Sequence, residues 1–319
     1  MTNILETIMI GTGPSALAAA VYTTREDIDT TLYEKSVIGG LAAITDMVDN
    51  YPGFPEGIEG MKLAGQLQKQ AERFGAKIEF GEVSSLTVGE DNVKTLIIDG
   101  QEVQAKTVLI ATGSDYNKLG IPGEVELYGR GAHYCATCDG AFYREKRLVV
   151  VGGGNSAVQE AIFLTRFSTH IDLLVRSTIK ASDVLQHDLQ KFVDEGKITV
   201  HLGVVPTAIV AEEGKVTHVT AKKGDEDVRF DTDGVFIFVG LKPNTQFLEG
   251  SGVELDEQKL VKTNNHLETN LPGVFASGDV RSGATMQIAS AVGEGASAAL
   301  AIREYLDGLG HVENVPAVG

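Results

Sequence analysis

Residues 7–26, TIMIGTGPSALAAAVYTTRE, run from a short apolar strand into Gly11-Thr12-Gly13-Pro14-Ser15-Ala16 and on into an alanine-rich segment suited to a helix. Strand, GxGxxA, helix is the entry to a dinucleotide-binding βαβ unit. The spacing has a physical reason, since Gly11 permits the tight turn, Gly13 lets backbone approach a pyrophosphate, and Ala16 lets helix pack on strand. The phosphates then sit at the positive end of the helix. About 20 residues on, the strand DTTLYE ends in Glu34, placed to accept hydrogen bonds from a ribose.

The pattern recurs in RLVVVGGGNSAVQEAIFLTRF, residues 147–167, with Gly152, Gly154 and Ala157 between a strand of valines and an amphipathic helix. The next strand, IDLLV, follows at the expected distance. One such turn is weak evidence, because glycine-rich turns between strands and helices are common. Two with the same flanks imply two dinucleotides, one per domain. Two further strands end in small residues, TVLIATGSD (Thr107 to Asp115) and GVFASGDV (Gly273 to Val280). In the latter, Asp279 opens a segment leading through Gln287 into IASAVGEGASAALAIREYL, where an acid is well placed to hold a flavin's ribityl chain. The second unit lies inside the chain and the Asp279 segment returns near its end. The expected fold is therefore α/β, with two Rossmann-like dinucleotide-binding domains, the second inserted into the first. The expected boundaries are 1–115, 116–244 and 245–319, crossing near Tyr116 and Asn244; GLKPNTQFLEGSG has the proline and asparagine of a returning linker.

Composition narrows the partners. The 319 residues carry 44 acidic and 27 basic side chains, a net charge of -17, which repels nucleic-acid phosphates and anionic lipid alike. No window approaches the roughly 20 uninterrupted apolar residues of a membrane-spanning helix. The N-terminus has neither a basic region nor a small-residue cleavage site and reads as a first strand rather than a leader. With only two cysteines there is no disulfide framework, so a reducing, cytoplasmic setting is expected.

Both cysteines fall in HYCATCDGAFY, residues 133–143. A zinc site needs about four ligands; His133 is near, but the other histidines are scattered. A static disulfide closing so short a loop gains little chain entropy. Dithiol–disulfide exchange is the preferred reading of Cys135 and Cys138: one thiolate attacks a partner disulfide and the other resolves the mixed disulfide. Asp139 is either a proton shuttle for the leaving thiolate or a turn residue before Gly140.

Together, the two GxGxxA units, CATCDG and the ATG and GD strands resemble the low-molecular-weight thioredoxin reductases over essentially the whole chain. The segment Gly39 to Leu63 resembles that family's flavin-contacting segment. The resemblance implies an FAD domain built from both chain ends, an inserted NAD(P)H domain carrying the dithiol, and a homodimer. Electrons would pass from nicotinamide to flavin, to the Cys135–Cys138 disulfide, and to a thioredoxin-like protein. Cys138 would face the flavin, Cys135 would attack the partner and Asp139 would be the general acid. Carried over residue by residue, the flavin would be held by the loop Gly11, Gly13, Pro14, Ser15 and Ala16 and by Glu34 and Lys35. Gly40, Asn50, Thr112 and Gly113 would join it, with Gly278, Asp279, Gln287, Ile288 and Ala289 from the returning segment. NAD(P)H would rest on Gly152, Gly154, Asn155, Ser156, Ala157 and Arg176; no metal is expected.

Two places depart from the family. Where relatives grip the 2′-phosphate of NADPH with a histidine and arginines, this chain has VRSTIKAS, keeping only Arg176, with Ser177 and Ala181 in the places of arginines. Val175 also lacks the acid of an NAD site. Leu41 replaces a glutamine of the flavin segment. The eroded cluster leaves NADPH, NADH and ferredoxin open as donors, and a redox-sensing flavoprotein is the non-enzymatic alternative.

Overall fold

The computed structural model describes residues 4–313, apart from Asp46 and Asp49. The chain divides into two compact units: one runs through Asp115 and resumes at Lys242, and the other is Tyr116–Leu241. The return therefore comes slightly ahead of the expected crossing near Asn244, and residues 1–3 and 314–319 of the expected first domain lie outside the described residues. The two connecting strands, Ser114–Tyr116 and Leu241–Pro243, pair with each other. Beside them Asn244 donates its amide to Gly113 O and its Nδ2 to Thr112 O, while Thr112 Oγ1 donates to Asn244 O at 2.7 Å.

In the first unit the strand Leu5–Ile10 lies between Thr30–Glu34 and Gln101–Ile110, parallel to both. Lys77–Phe80 continues the sheet beyond Thr30–Glu34. The long strand Gln101–Ile110 divides its outer edge: its start pairs with Lys94–Ile98 antiparallel, and its end pairs with Val274–Ala276 parallel. That return strand is how the end of the chain enters the first sheet. The helix Pro14–Arg25 starts with proline at its first turn, where a missing N–H costs nothing. Its alanines Ala16 to Ala20 are buried, giving the long helix Ile288–Glu313 a flat face to pack on. Gly295 sits at that crossing, where a Cβ would collide with Ser15 O. Small residues on both helices thus set the spacing of the whole layer.

The second unit repeats the plan. Its parallel sheet orders Ile198–Leu202, His170–Val175, Arg147–Val151, Gly234–Ile237 and Ala132–His133. An antiparallel meander, Val204–Glu212, Lys215–Lys223 and Glu226–Asp231, precedes the fourth strand. The first unit has the same meander (Val83–Val88, Lys94–Ile98, then the start of Gln101–Ile110), but there its third strand runs on without a break into the parallel sheet. In the second unit Thr232 and Asp233 interrupt the step. The strands buried on both faces read as unbroken apolar runs, as in LVVV.

Candidate active site

The first glycine loop is fixed from behind and open in front. Gly11 has φ +96°, and a Cβ there would lie 2.6 Å from Ala111 O, so no side chain fits. Gly13 precedes the helix with φ -63°, ψ 173°, and no side chain caps the helix start. A Cβ at Gly13 would meet nothing within 4 Å. Amides with no intrahelical partner therefore face open space, which is what a pyrophosphate requires. Ala16 is fully buried and Ser15 Oγ hydrogen-bonds Ser277 Oγ at 2.6 Å.

Glu34 is already engaged within the protein. Its Oε2 accepts from Thr12 N at 3.0 Å and from Thr12 Oγ1 at 2.7 Å, and its Oε1 accepts from Ser36 N at 2.9 Å. The carboxylate thereby clamps the glycine loop to the end of the second strand. A cavity of about 410 Å³ opens over this clamp, lined among others by Gly11, Glu34, Lys35, Thr112, Asn244 and Phe247. Lys35 reaches out at its rim to Glu82. Gly40 packs near Gly13, and Gly39 donates its amide to Thr12 O at 3.0 Å.

Asn50 Nδ2 donates to Gln287 Oε1 at 3.0 Å, joining residues 237 apart in sequence just ahead of Ile288 and Ala289 at the start of the last helix. Gly278, in the left-handed region at φ +73°, has Ser15 Cβ 3.1 Å from where its own Cβ would be. Its amide donates to Glu294, which is gripped by Arg281 through two hydrogen bonds of 3.1 and 2.7 Å. Asp279, by contrast, receives no hydrogen bond on its carboxylate from the described residues. Burial first, and the charge of Glu294 second, push it up to about 6. A half-buried carboxylate without a donor is the place where ligand hydroxyls would fit. All the flavin residues expected from the sequence lie in this first unit, and they fit a dinucleotide with a polyhydroxy chain.

The second glycine loop copies the first. Gly152 has φ +143° and its Cβ would collide with Phe238 O; Gly154 meets nothing within 4 Å, and no side chain caps the helix Asn155–Leu164. Ala157 is fully buried. Asn155 spends its Oδ1 on Ser182 N at 2.8 Å, and Lys180 N donates to Gly153 O at 2.6 Å, so the loop after the second strand is tied down over the glycines. Arg176, Ser177 and Lys180 are exposed on it, but Ala181 is buried among Val175, Ile179 and Leu189.

Cys135 and Cys138 are joined in a disulfide. Cys135 precedes the four-residue helix Ala136–Asp139, and Cys138 N donates to Cys135 Sγ at 3.2 Å. Both are partly exposed, while Ala136 is buried. Asp139 is bound through Oδ2 to His133 Nδ1 at 3.2 Å, and His133 Nε2 lies 2.7 Å from the Tyr143 hydroxyl.

Sequence reasoning missed Thr12, Ser277, Arg281 with Glu294, and Tyr143, and it weighed His133 only as an extra zinc ligand. The GEG within an otherwise helical segment was the one available signal, since glycine in a helix interior needs a packing reason.

Two dinucleotide folds, one carrying a dithiol on a short helix, define a pyridine-nucleotide-linked disulfide oxidoreductase. A family model for pyridine nucleotide-disulphide oxidoreductases matches residues 5–295, and the chain belongs to that family. It is 39% identical to the thioredoxin reductase of Bacillus subtilis over 96% of each chain. It is also 39% identical to that of Listeria monocytogenes, over 96% of this chain and 95% of the relative. The crystal structure of thioredoxin reductase from Streptococcus pyogenes superposes with a TM-score of 0.90 at 34% identity, covering 97% of this chain and 100% of that one.

Proposed function

We propose that this protein is a thioredoxin-disulfide reductase in which the Cys135–Cys138 pair passes electrons from NAD(P)H, by way of FAD, to a thioredoxin-like protein. The observation that carries the reading is the redox pair itself, held on a short helix of a second dinucleotide unit in a chain of this family. Bound FAD supplies the step from a two-electron hydride donor to a disulfide. The residues of the first unit would hold it: the amides behind Gly13 for the pyrophosphate, Glu34 for the adenosine ribose and Asp279 for the ribityl chain.

Two electrons and two protons turn the disulfide into the dithiol, and Asp139 supplies a proton to the thiolate that leaves. Cys135, giving its proton back to Asp139, attacks one sulfur of the partner disulfide; the partner thiolate that departs takes up that proton. Cys138 then attacks Cys135 Sγ, which breaks the mixed disulfide, restores the Cys135–Cys138 bond and releases the second partner thiol with the remaining proton. The donor rests on Gly152, Gly154, Asn155, Ser156, Ala157 and Arg176. The two paired strands at Ser114–Tyr116 and Leu241–Pro243 would serve as the hinge when the dithiol alternates between flavin and partner. The protein would act as a homodimer in the cytoplasm. No helix among the described residues is long and apolar enough to cross a membrane.

The deciding experiment mixes the purified protein anaerobically with NADPH, NADH or reduced ferredoxin, follows flavin bleaching, and then adds oxidised thioredoxin. Bleaching by a pyridine nucleotide and recolouring by thioredoxin are expected. Bleaching by ferredoxin alone would overturn the donor.

A further inference from the structure

His133 is buried, at 3% exposure, yet both ring nitrogens have polar partners. Nδ1 faces Asp139 Oδ2 at 3.2 Å and Nε2 faces Tyr143 OH at 2.7 Å. The ring cannot swing away. Phe236 stacks on it at 5.1 Å between centroids, and Tyr143 meets it edge-on at 5.4 Å. Tyr143 is itself seated on the backbone at Gly234, where any Cβ would collide with the phenol ring. Two elements meet in this contact: His133 ends the strand Ala132–His133, paired to Phe236, and Asp139 ends the dithiol helix that begins after Cys135.

A carboxyl that must give and regain a proton needs a partner in both states. A lysine or arginine serves only the ionised form, because neither accepts a hydrogen bond. A neutral imidazole serves both. With Asp139 ionised, Nδ1–H faces the carboxylate and Nε2 accepts from the Tyr143 hydroxyl. With Asp139 protonated, the carboxyl O–H donates to Nδ1, and Nε2–H donates to the Tyr143 oxygen after the hydroxyl turns. In both states each ring nitrogen keeps its partner. Burial first, then the charges of Asp139 and Asp233, hold the Tyr143 hydroxyl far above its ordinary range, so it stays an O–H in both arrangements.

We propose that His133 is a positioning residue that holds Asp139 beside the dithiol and keeps it facing a ring nitrogen in both its protonated and its ionised form. The inference rests on Asp139 being the proton donor to the dithiol. It adds no proton to the balance: the proton Asp139 gives to a cysteine thiolate returns when Cys135 ionises before the partner disulfide, and the imidazole only changes tautomer.

The test uses the full-length, flavin-loaded protein and a double-mutant cycle of His133→Leu and Asp139→Asn, with Tyr143→Phe as a variant that removes one hydroxyl only. Flavin reduction by NAD(P)H is followed by stopped flow, and kcat and KM are measured with oxidised thioredoxin. The expected result for His133→Leu is flavin reduction within about twofold of wild type, kcat down about tenfold or more, and KM for thioredoxin nearly unchanged. In the Asp139→Asn background the same substitution should cost nothing further, because its effect runs through the missing carboxylate. Tyr143→Phe should lower kcat a few-fold and likewise lose its effect beside Asp139→Asn. If His133→Leu does not retain flavin, the Tyr143→Phe cycle decides. Additive losses in the double variant, or a wild-type kcat in His133→Leu or Tyr143→Phe, overturn the inference. If Asp139→Asn alone leaves kcat intact, the proton-donor reading fails and takes this one with it; a slow Asp139→Asn with a fast His133→Leu sinks this inference alone.

Discussion

Glu34 and Val175 hold the same place in the two units: each ends the second strand, one residue after the carbonyl that accepts the amide of the first loop glycine, Tyr33 O for Gly11 and Leu174 O for Gly152. Their chemistry is opposite. Glu34 accepts from Thr12 N, whereas Val175 packs beneath Gly153, with its Cγ1 2.7 Å from where a Cβ on that glycine would be. One loop is backed by a carboxylate and the other by a hydrocarbon.

The second site should therefore separate NADPH from NADH poorly. Without an acid at Val175, the 2′-hydroxyl of NADH has no dedicated acceptor, and the exposed Arg176 and Lys180 are the cations of that loop for a 2′-phosphate. Steady-state kinetics should give a preference for NADPH below about a thousandfold, equivalent to roughly 4 kcal/mol; a larger ratio would refute the reading. Ser177→Arg, at an exposed position, should raise kcat/KM for NADPH about tenfold, since a charge-assisted hydrogen bond contributes roughly 1.5–3 kcal/mol. Ala181→Arg should instead destabilise the protein, because it drives a cation into the core.

The glycines of each loop should respond differently to alanine. Gly11→Ala places a methyl against Ala111 O with a left-handed backbone and should lower the melting temperature even without flavin. Gly13→Ala meets no protein atom within 4 Å, so the flavin-free protein should melt as wild type while FAD retention falls. Gly154→Ala should raise KM for NAD(P)H and leave flavin content alone. Thermal melts with and without added FAD, together with absorbance near the flavin maximum, separate these outcomes. Equal flavin loss from Gly13→Ala and Gly154→Ala would contradict the assignment of one dinucleotide per unit.

Cys138→Ser should abolish thioredoxin reduction and leave flavin reduction by the donor largely intact, because hydride arrives before the dithiol is needed. Cys135→Ser should also block turnover while leaving Cys138 as a free thiol, which can give a flavin-to-thiolate charge-transfer band. Rapid-mixing spectra with NAD(P)H test both. Loss of flavin reduction in step with turnover would mean the disulfide serves only the fold.

Asp279 should make the flavin-free protein sensitive to pH. Its carboxyl is raised from an ordinary 3.8 to about 6, so between these values the folded chain binds more protons than the unfolded one. The group's contribution to stability is thus fully present below about pH 4, is lost as pH rises, and is gone above about pH 6. Asp279→Asn, which cannot ionise, should melt higher than wild type near about pH 7.5 and about equal to it near pH 4 in the absence of FAD. FAD retention should fall in the same variant. A melting difference that grows toward acid pH would reverse the sign and exclude this cause.

What the sequence determined by itself was local: two glycine loops between strand and helix, a dithiol four positions long, and the insertion that follows from their order. These were legible because a left-handed glycine, an uncapped helix start and a CxxC are properties of a few adjacent residues. The tertiary structure decided what those residues touch. Thr12 clamps Glu34 from 22 positions away, Ser15 meets Ser277 across 262, and Asn50 meets Gln287 across 237. It also decided that Ala181 faces the core and that Asp139 is tied to a buried imidazole rather than left in a turn. No periodicity encodes such pairs, because each depends on where close-packed layers bring distant side chains, and one residue of register would turn each to the other face.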